Sequence, residues 1–204
     1  MSLPSLTDLQ KDAICEFLNI GMGCAAASLS AIIRQEVHLN IPTLEILRTE
    51  EASQQMIQQI SFCFAGIKQR FDGFFHGDAL LFFPKEKCSK LANSFIQHPT
   101  ELPLEDELVQ DALLEMGNII LNACLSGFAN LLNSEITYGI PKFILGAPHE
   151  LLQQINHKAV EHVLFMWVNF SSSQQDTSGY VILVLEVDAI EQLKQKIDQY
   201  LMQF

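Results

Sequence analysis

Two stretches of the chain carry the same three polar side chains at the same spacing. The first places two acids and an amide at Asp12, Glu16 and Asn19, and the second, ninety-nine residues later, places them at Asp111, Glu115 and Asn118. At about 100° per residue, each set falls within roughly 60° of one helix face. A carboxylate only accepts hydrogen bonds and attracts cations, whereas a carboxamide both donates and accepts. Each set could therefore hold a water molecule by two hydrogen bonds while its Glu anchors a Lys or Arg of a partner.

The repetition extends beyond the polar side chains. A proline follows each asparagine after 23 residues, at Pro42 and Pro141, and residues 12–42 align with residues 111–141 without a gap. A single pattern of this kind in a helix is usually a solvated face. Its recurrence in register favours a functional site, although structural retention after a duplication would leave the same pattern.

Local patterns predict similar elements in the two halves of the chain. Thr7 and Gln10 match a capping box, so a helix should begin near Thr7 and fade at residues 34–36. Residues 50–59 could form a loop or a helical turn. The remaining elements of the first half are a short strand or extended segment, two long strands joined at Asp72-Gly73 and a helix opened by Pro84, at residues 37–41, 60–71, 74–83 and 84–96.

The second half repeats this order. A helix is expected from about Leu104 to Leu132, and an amphipathic helix from Asp188 to Phe204. Between them the pattern predicts three strands and, at residues 171–179, a flexible hairpin loop; the strands are expected at residues 140–145, 160–170 and 180–187.

These elements predict an α+β fold in which each half contributes a helix, three strands and a helix. The two halves would form a pseudo-twofold duplicated unit with one six-stranded, largely antiparallel sheet and two long helices that carry the polar motifs. We expect a single domain over residues 1–204, made of two internal repeats at about residues 7–98 and 104–204.

Composition narrows the classes of partner. The net charge is -12, and apolar residues make up 49% of the chain. Bare nucleic acid and anionic membrane both require basic patches, so neither is expected as a partner. No run of about 18 apolar residues and no secretory signal is present, which predicts a cytoplasmic protein.

Cysteine and histidine patterns do not predict a metal site. The five cysteines form no C-x-x-C pair, and we expect buried, reduced thiols. His157 and His162 are not spaced as a helical metal pair, and Trp167 lies on a strand pattern that favours a core position.

The two motifs resemble the signature of the CheC/CheX/FliY phosphatases, which act on the phosphorylated chemotaxis regulator CheY. That signature is Asp or Ser, then Glu, then Asn, followed by the proline, and both copies here match it. Two intact copies are most similar to CheC and FliY, since CheX-like proteins keep only the second. The first copy differs from the usual family sequence at Leu18, where Gly is common, and at Cys24, where Asn is frequent. The second copy is therefore expected to be the better site.

The resemblance implies a function and roles for the motif residues. The chain would be an aspartyl-phosphate phosphatase in which Asn19 and Asn118 orient the attacking water and Glu16 and Glu115 engage the receiver's Lys. The two motif aspartates, Asp12 and Asp111, would support docking of the receiver. No cofactor would bind this chain, because the receiver carries the phospho-Asp and supplies Mg²⁺.

Alternative functions remain open on the sequence. A non-catalytic module could bind or sequester a phosphorylated receiver or a CheD-like partner, and a homodimer could form through the sheet edges or the last helix. A purely structural or flagellar-switch role is a third possibility, although nothing in the chain resembles the additional C-terminal domain of FliY. The intact Glu and Asn pairs favour the enzyme, since a scaffold would not need the Asn.

Overall fold

The fold is described from a computed structural model, which covers residues 5–59, 63–73, 76–96, 102–153, 162–172, 175–185 and 187–202. Within these ranges the first half of the chain contains α1 (Asp8–Ile33), β1 (Val37–Asn40), β2 (Leu44–Arg48), α2 (Thr49–Gln59), β3 (Phe64–Gly73), β4 (Gly77–Pro84) and α3 (Lys85–Ile96). The second half contains α4 (Glu107–Leu132), β5 (Ile136–Tyr138), β6 (Lys142–Gly146), α5 (Pro148–Gln153), β7 (His162–Ser172), β8 (Gln175–Leu185) and α6 (Val187–Leu201).

All eight described strands join one antiparallel sheet. Its order is β1-β7-β8-β4-β3-β5, with β2 also paired to β7 and β6 also paired to β3. The sheet therefore has six positions across, and each edge position is shared by two short strands. This confirms the predicted α+β class with a largely antiparallel sheet. The division into one domain of two repeats stays a prediction.

The two edges of the sheet have the same pairing register. Leu44 lies opposite Met166 at one edge, and Phe143 lies opposite Ile67 at the other. Leu44 and Phe143 are 99 residues apart, as are Ile67 and Met166. Residues separated by 99 positions thus occupy equivalent places in the motif helices, in the edge strands and in β3 and β7.

Helices cover both faces of the sheet. Alternate strand residues such as Ile67, Leu81 and Met166 face the core beneath α1, α3, α4 and α6. The intervening residues, such as Phe64 and Tyr180, pack with α2 and α5 on the opposite face. This alternation is the two-residue period of a strand buried on both sides.

The two motif-bearing helices have well-defined starts. The predicted capping box of α1 is present: the Thr7 N–H donates to Gln10 Oε1 at 2.9 Å, and the Gln10 N–H donates to Thr7 Oγ1 at 3.3 Å. At the start of α4, Asp106 Oδ1 accepts from the Leu108 N–H at 2.9 Å. Side-chain acceptors of this kind satisfy backbone donors that have no partner within the helix.

Helices α1 and α4 cross in antiparallel fashion. A Cβ placed on Gly21 would lie 2.4 Å from the Ala123 carbonyl oxygen, and one on Gly127 would lie 3.0 Å from the Phe17 carbonyl oxygen. The two backbones therefore approach closely, and a side chain at position 21 would overlap the backbone of α4. By length and composition alone, both helices could also cross a membrane, but this is weak support for a span, because core helices share these properties.

Several predictions for individual elements need correction. Residues 171–179 were expected to form a flexible loop, but Ser171 and Ser172 belong to β7 and Gln175–Gly179 to β8, because the hairpin ladder continues to the Ser172–Gln175 pair. Residues 50–59 are helical, and the short helix α5 was not predicted. Parts of the predicted elements, namely residues 60–62, 74–75, 97–101, 154–161, 186 and 203–204, lie outside the described residues.

The expectation of uniformly buried thiols is also wrong. All five cysteines are free, but only Cys88 and Cys124 are buried, whereas Cys24 is exposed and Cys15 and Cys63 are intermediate. Cys24 lies on the outer face of α1, away from the sheet. Trp167 occupies the strand predicted for it and packs edge-on against Tyr180, with ring centroids 4.9 Å apart.

Candidate functional site

The first motif lies on α1 with its acids in solvent. Asp12 and Glu16 are exposed, and Asn19 is half-buried. Asn19 Oδ1 accepts from the Ile41 N–H at 2.8 Å, and Asn19 Nδ2 donates to the Ile41 carbonyl oxygen at 3.1 Å. Both ends of this amide are therefore engaged by one backbone residue.

Burial of Ile41 explains this pairing. Strand β1 ends at Asn40, and Pro42 has no N–H, so the ladder does not continue through Ile41. The Ile41 side chain is fully buried. Because buried backbone donors and acceptors without partners are costly, Asn19 takes the place of the missing strand partner.

The second motif, on α4, presents a different arrangement. Asp111 and Glu115 are exposed, and Asn118 is half-buried. Asn118 Oδ1 accepts two hydrogen bonds, from Gln69 Nε2 of β3 and from Asn122 Nδ2 of α4, each at 3.1 Å. Two donors fill both acceptor positions of this oxygen.

A backbone carbonyl determines which way the Asn118 amide faces. Gln69 Nε2 also donates to the Gly139 carbonyl oxygen at 3.1 Å. A carbonyl can only accept, so the Gln69 atom facing it must be nitrogen, and the Asn118 atom facing that nitrogen must be oxygen. Asn118 Nδ2 then points away from Gln69 and has no acceptor among the described residues. The second site thus offers an amide whose N–H donors are unused.

A glycine allows α4 to reach the strand that carries Gln69. A Cβ on Gly117 would lie 2.5 Å from Ile67 Cγ1, so the helix rests directly on β3. The equivalent residue of α1 is Leu18, which is fully buried. Its side chain occupies the corresponding room, and α1 instead makes its main sheet contact with β1. We attribute the different placements of the two helices to this exchange of Gly for Leu.

Sequence reasoning missed the two residues that hold Asn118. Gln69 is 1% exposed although it stands between Lys68 and Arg70 in β3, and its equivalent in β7 is the buried Val168. Asn122 lies one turn after Asn118 on the same helix face, and its equivalent in α1 is Gly23. Comparison of the halves at a spacing of 99 residues would have shown both differences, but nothing local in the sequence brings Gln69 to α4.

The acidic side chains are available to a cationic partner. Among the described residues, no Lys, Arg or His forms an ion pair with the motif carboxylates, which belong to Asp12, Glu16, Asp111 and Glu115. Burial, followed by the nearby Asp12 carboxylate, raises the pKa of the Cys15 thiol, so this thiol beside Glu16 stays neutral at pH 7. The described residues contain no group of three His, Cys, Asp or Glu placed to hold a metal ion.

Comparison with known proteins finds one similar sequence and several similar folds. No protein-family model matches the chain. The CheY-P phosphatase CheC of Bacillus subtilis (strain 168) is 23% identical over 193 residues, which cover 90% of this chain and 91% of that protein.

Solved structures show the same fold. FliY of Thermotoga maritima superposes with a TM-score of 0.76 at 19% identity, covering 95% of this chain and 98% of that one. The FliM middle domain of H. pylori superposes with a TM-score of 0.64 at 8% identity, covering 94% and 99%. The chain is therefore similar to CheC along most of both chains and has the fold of FliY.

Proposed function

We propose that this protein accelerates hydrolysis of the aspartyl phosphate of a CheY-like receiver, and that the second motif supplies most of the acceleration. The observation that carries this proposal is the Asn118 amide, which is held by its oxygen and whose N–H donors have no acceptor among the described residues, one helical turn from the exposed Glu115. The name of the relative in Bacillus subtilis, a CheY-P phosphatase, agrees with it.

The proposed chemistry needs only positioning from this chain. Glu115 would pair with a lysine of the receiver, with Asp111 supporting docking, while the receiver holds the phospho-Asp and Mg²⁺. The oxygen of a water molecule attacks phosphorus, the bond between phosphorus and the aspartyl oxygen breaks, and the carboxylate leaves with the bonding electrons. The protons of the water pass to the phosphate product or to solvent. One preorganised polar group of this kind contributes on the order of 10² to 10³ in rate.

The contacts of Asn118 change the way in which we expect the water to be held. The sequence suggested two hydrogen bonds, one donated and one accepted by the amide. Because Gln69 and Asn122 already fill the acceptor positions of Oδ1, we propose that Nδ2 donates to the water oxygen. A second lone pair of that oxygen stays free to attack phosphorus.

Binding without catalysis is a second candidate function, and the first motif favours it there. Asn19 uses both ends of its amide to hold Ile41, while Asp12 and Glu16 remain exposed. Such a surface could hold a receiver without placing a water molecule. In this proposal the protein acts in the cytoplasm, and a CheD-like protein or a second copy of the chain would be further partners.

Phosphate release from a CheY-like receiver tests the proposal. The receiver would be loaded with Mg²⁺ and phosphorylated by a small acyl phosphate, and its dephosphorylation rate measured with wild type and with the Glu115→Ala/Asn118→Ala double variant. We expect acceleration by wild type and its loss in the double variant. Tight binding of the receiver by wild type without acceleration would replace the phosphatase with the sequestering module. Absence of acceleration across all receivers of the source organism would reject the phosphatase.

A further inference from the structure

Equivalent apolar residues are buried at one sheet edge and exposed at the other. In the first half Leu39 is 8% exposed and Ile41 is fully buried. Their equivalents are Tyr138, which is 39% exposed, and Ile140, which is 85% exposed. The strand pairing at the two edges has the same register, so pairing does not account for the difference.

The position of the covering helix accounts for the exposure. Helix α1 lies over β1, whereas α4 rests on β3 through Gly117. The edge strands of the second half are thereby left partly uncovered. Leu145 of β6, which lies opposite Ala65, is also 44% exposed. Leu145 and Tyr138 lie opposite β3 residues that are six positions, or about 20 Å, apart, so Leu145 is a separate exposed side chain. Tyr138 and Ile140 are neighbours and form one exposed apolar site at this edge.

The backbone beside Ile140 is tied to the candidate site. The Gly139 N–H donates to the Arg70 carbonyl oxygen at 2.8 Å, and the Gly139 carbonyl accepts from Gln69 Nε2. The same Gln69 nitrogen donates to Asn118 Oδ1. Two hydrogen bonds from Gln69 thus connect the Asn118 amide to Gly139, which immediately precedes Ile140. The Ile140 side chain itself is exposed to solvent.

We infer that Ile140, with Tyr138, forms the apolar docking surface for the receiver at the second site. This inference rests on the proposed function. A globular partner that brings its phosphoryl group to Asn118 must cover the neighbouring surface, which includes Ile140. The partner surface would combine a lysine for Glu115 with an apolar patch for Ile140. An apolar anchor next to a polar catalytic contact is the usual composition of an interface centre.

Substitution of Ile140 tests the docking surface. Ile140→Ser should leave folding intact, because the side chain makes little contact with the rest of the chain. Met202→Ser is the matched control, since Met202 is 84% exposed and lies at the end of α6. The measurements are kcat and KM for the phosphorylated receiver and Kd for the receiver loaded with beryllofluoride and Mg²⁺. We expect Ile140→Ser to raise KM and Kd about tenfold with kcat within about twofold, as for loss of one buried interface anchor.

Each outcome decides between the inference and the function on which it rests. If wild type and Met202→Ser accelerate dephosphorylation and Ile140→Ser has the same KM and Kd, the docking surface is wrong and the phosphatase stands. If wild type is a dimer that Ile140→Ser dissociates with unchanged receiver affinity, the surface belongs to a second copy and the inference is overturned. If wild type accelerates no receiver, the proposed function fails and the inference fails with it.

Discussion

Helices α1 and α4 carry the same polar side chains at the same spacing but use their asparagines differently. Both ends of the Asn19 amide form hydrogen bonds with the backbone of Ile41. Asn118 is held only by its oxygen, and its nitrogen has no acceptor among the described residues. One asparagine completes the fold of its own half, while the other remains available for a hydrogen bond to a ligand.

The difference arises from neighbours that lie outside the motif. Three exchanges between equivalent positions accompany it: Gln69 for Val168, Asn122 for Gly23 and Gly117 for Leu18. The first two supply the donors for Asn118, and the third brings the helix close enough to use them. A motif thus identifies candidate side chains, but the surrounding shell decides whether an amide is free to act.

The strongest test of the comparison removes each asparagine in turn. Asn118→Ala should lower the acceleration of receiver dephosphorylation about 10²- to 10³-fold, because it removes the unused donor. Asn19→Ala should lower it less than about threefold and should destabilise the fold by about 1–3 kcal/mol, because the buried Ile41 backbone loses its partner. Phosphate release and urea unfolding measure the two effects. Equal losses of rate in the two variants would contradict unequal sites.

Removal of the Gln69 donor should impair the second site by freeing the Asn118 amide to rotate. In Gln69→Leu the orientation of Asn118 is no longer determined, and we expect kcat to fall about 10- to 30-fold with KM nearly unchanged. Gln10→Leu is a matched control, since Gln10 is also buried and donates to Asp198 far from the site. It should lose stability and keep kcat. A fall in stability without a fall in kcat at Gln69 would reduce that residue to a structural role.

Substitution of one glycine in each helix tests the role of close packing. Gly117→Ala should destabilise the protein by about 1–3 kcal/mol, because the new methyl group overlaps Ile67, and should also lower kcat. Gly23→Ala meets nothing within 4 Å and should stabilise α1 by about 0.5–1 kcal/mol without changing kcat. Denaturant midpoints of the two variants check both signs. A stable, fully active Gly117→Ala would show that close contact with β3 is unnecessary.

The smallest expected effect comes from modification of α1. A maleimide reagent should label the exposed Cys24 rapidly at pH 7 and change the dephosphorylation rate by less than about twofold, because the second site lies on α4. Burial raises the pKa of Cys88 to about 12 and also raises that of Cys124, so both stay neutral and inaccessible until the protein unfolds. Mass spectrometry identifies the labelled residue, and Cys24→Ser should lose the fast phase. Abolition of activity by the label would show that α1 takes part in catalysis.

Much of the fold could be predicted because its signals are local. The capping box at Thr7, the helical period of α1 and α4 and the Asp72-Gly73 turn all act within a few residues. The strand boundaries of β8 were missed because polar residues 175–179 resemble a loop, and only pairing with β7 makes them a strand. The exposed acids of both motifs also agree with the predicted helix face.

Local signals in the sequence specify the two long helices, the duplicated motif and the α+β class, since periodicity and capping depend on neighbouring residues. Tertiary contacts, in contrast, determine which asparagine keeps a free donor and which isoleucine is exposed. The contact between Gln69 and Asn118 joins residues 49 positions apart, and the contact between Asn19 and Ile41 joins residues 22 apart. Such contacts depend on the position in which each helix packs against the sheet. A single glycine or leucine at the packing interface can change that position.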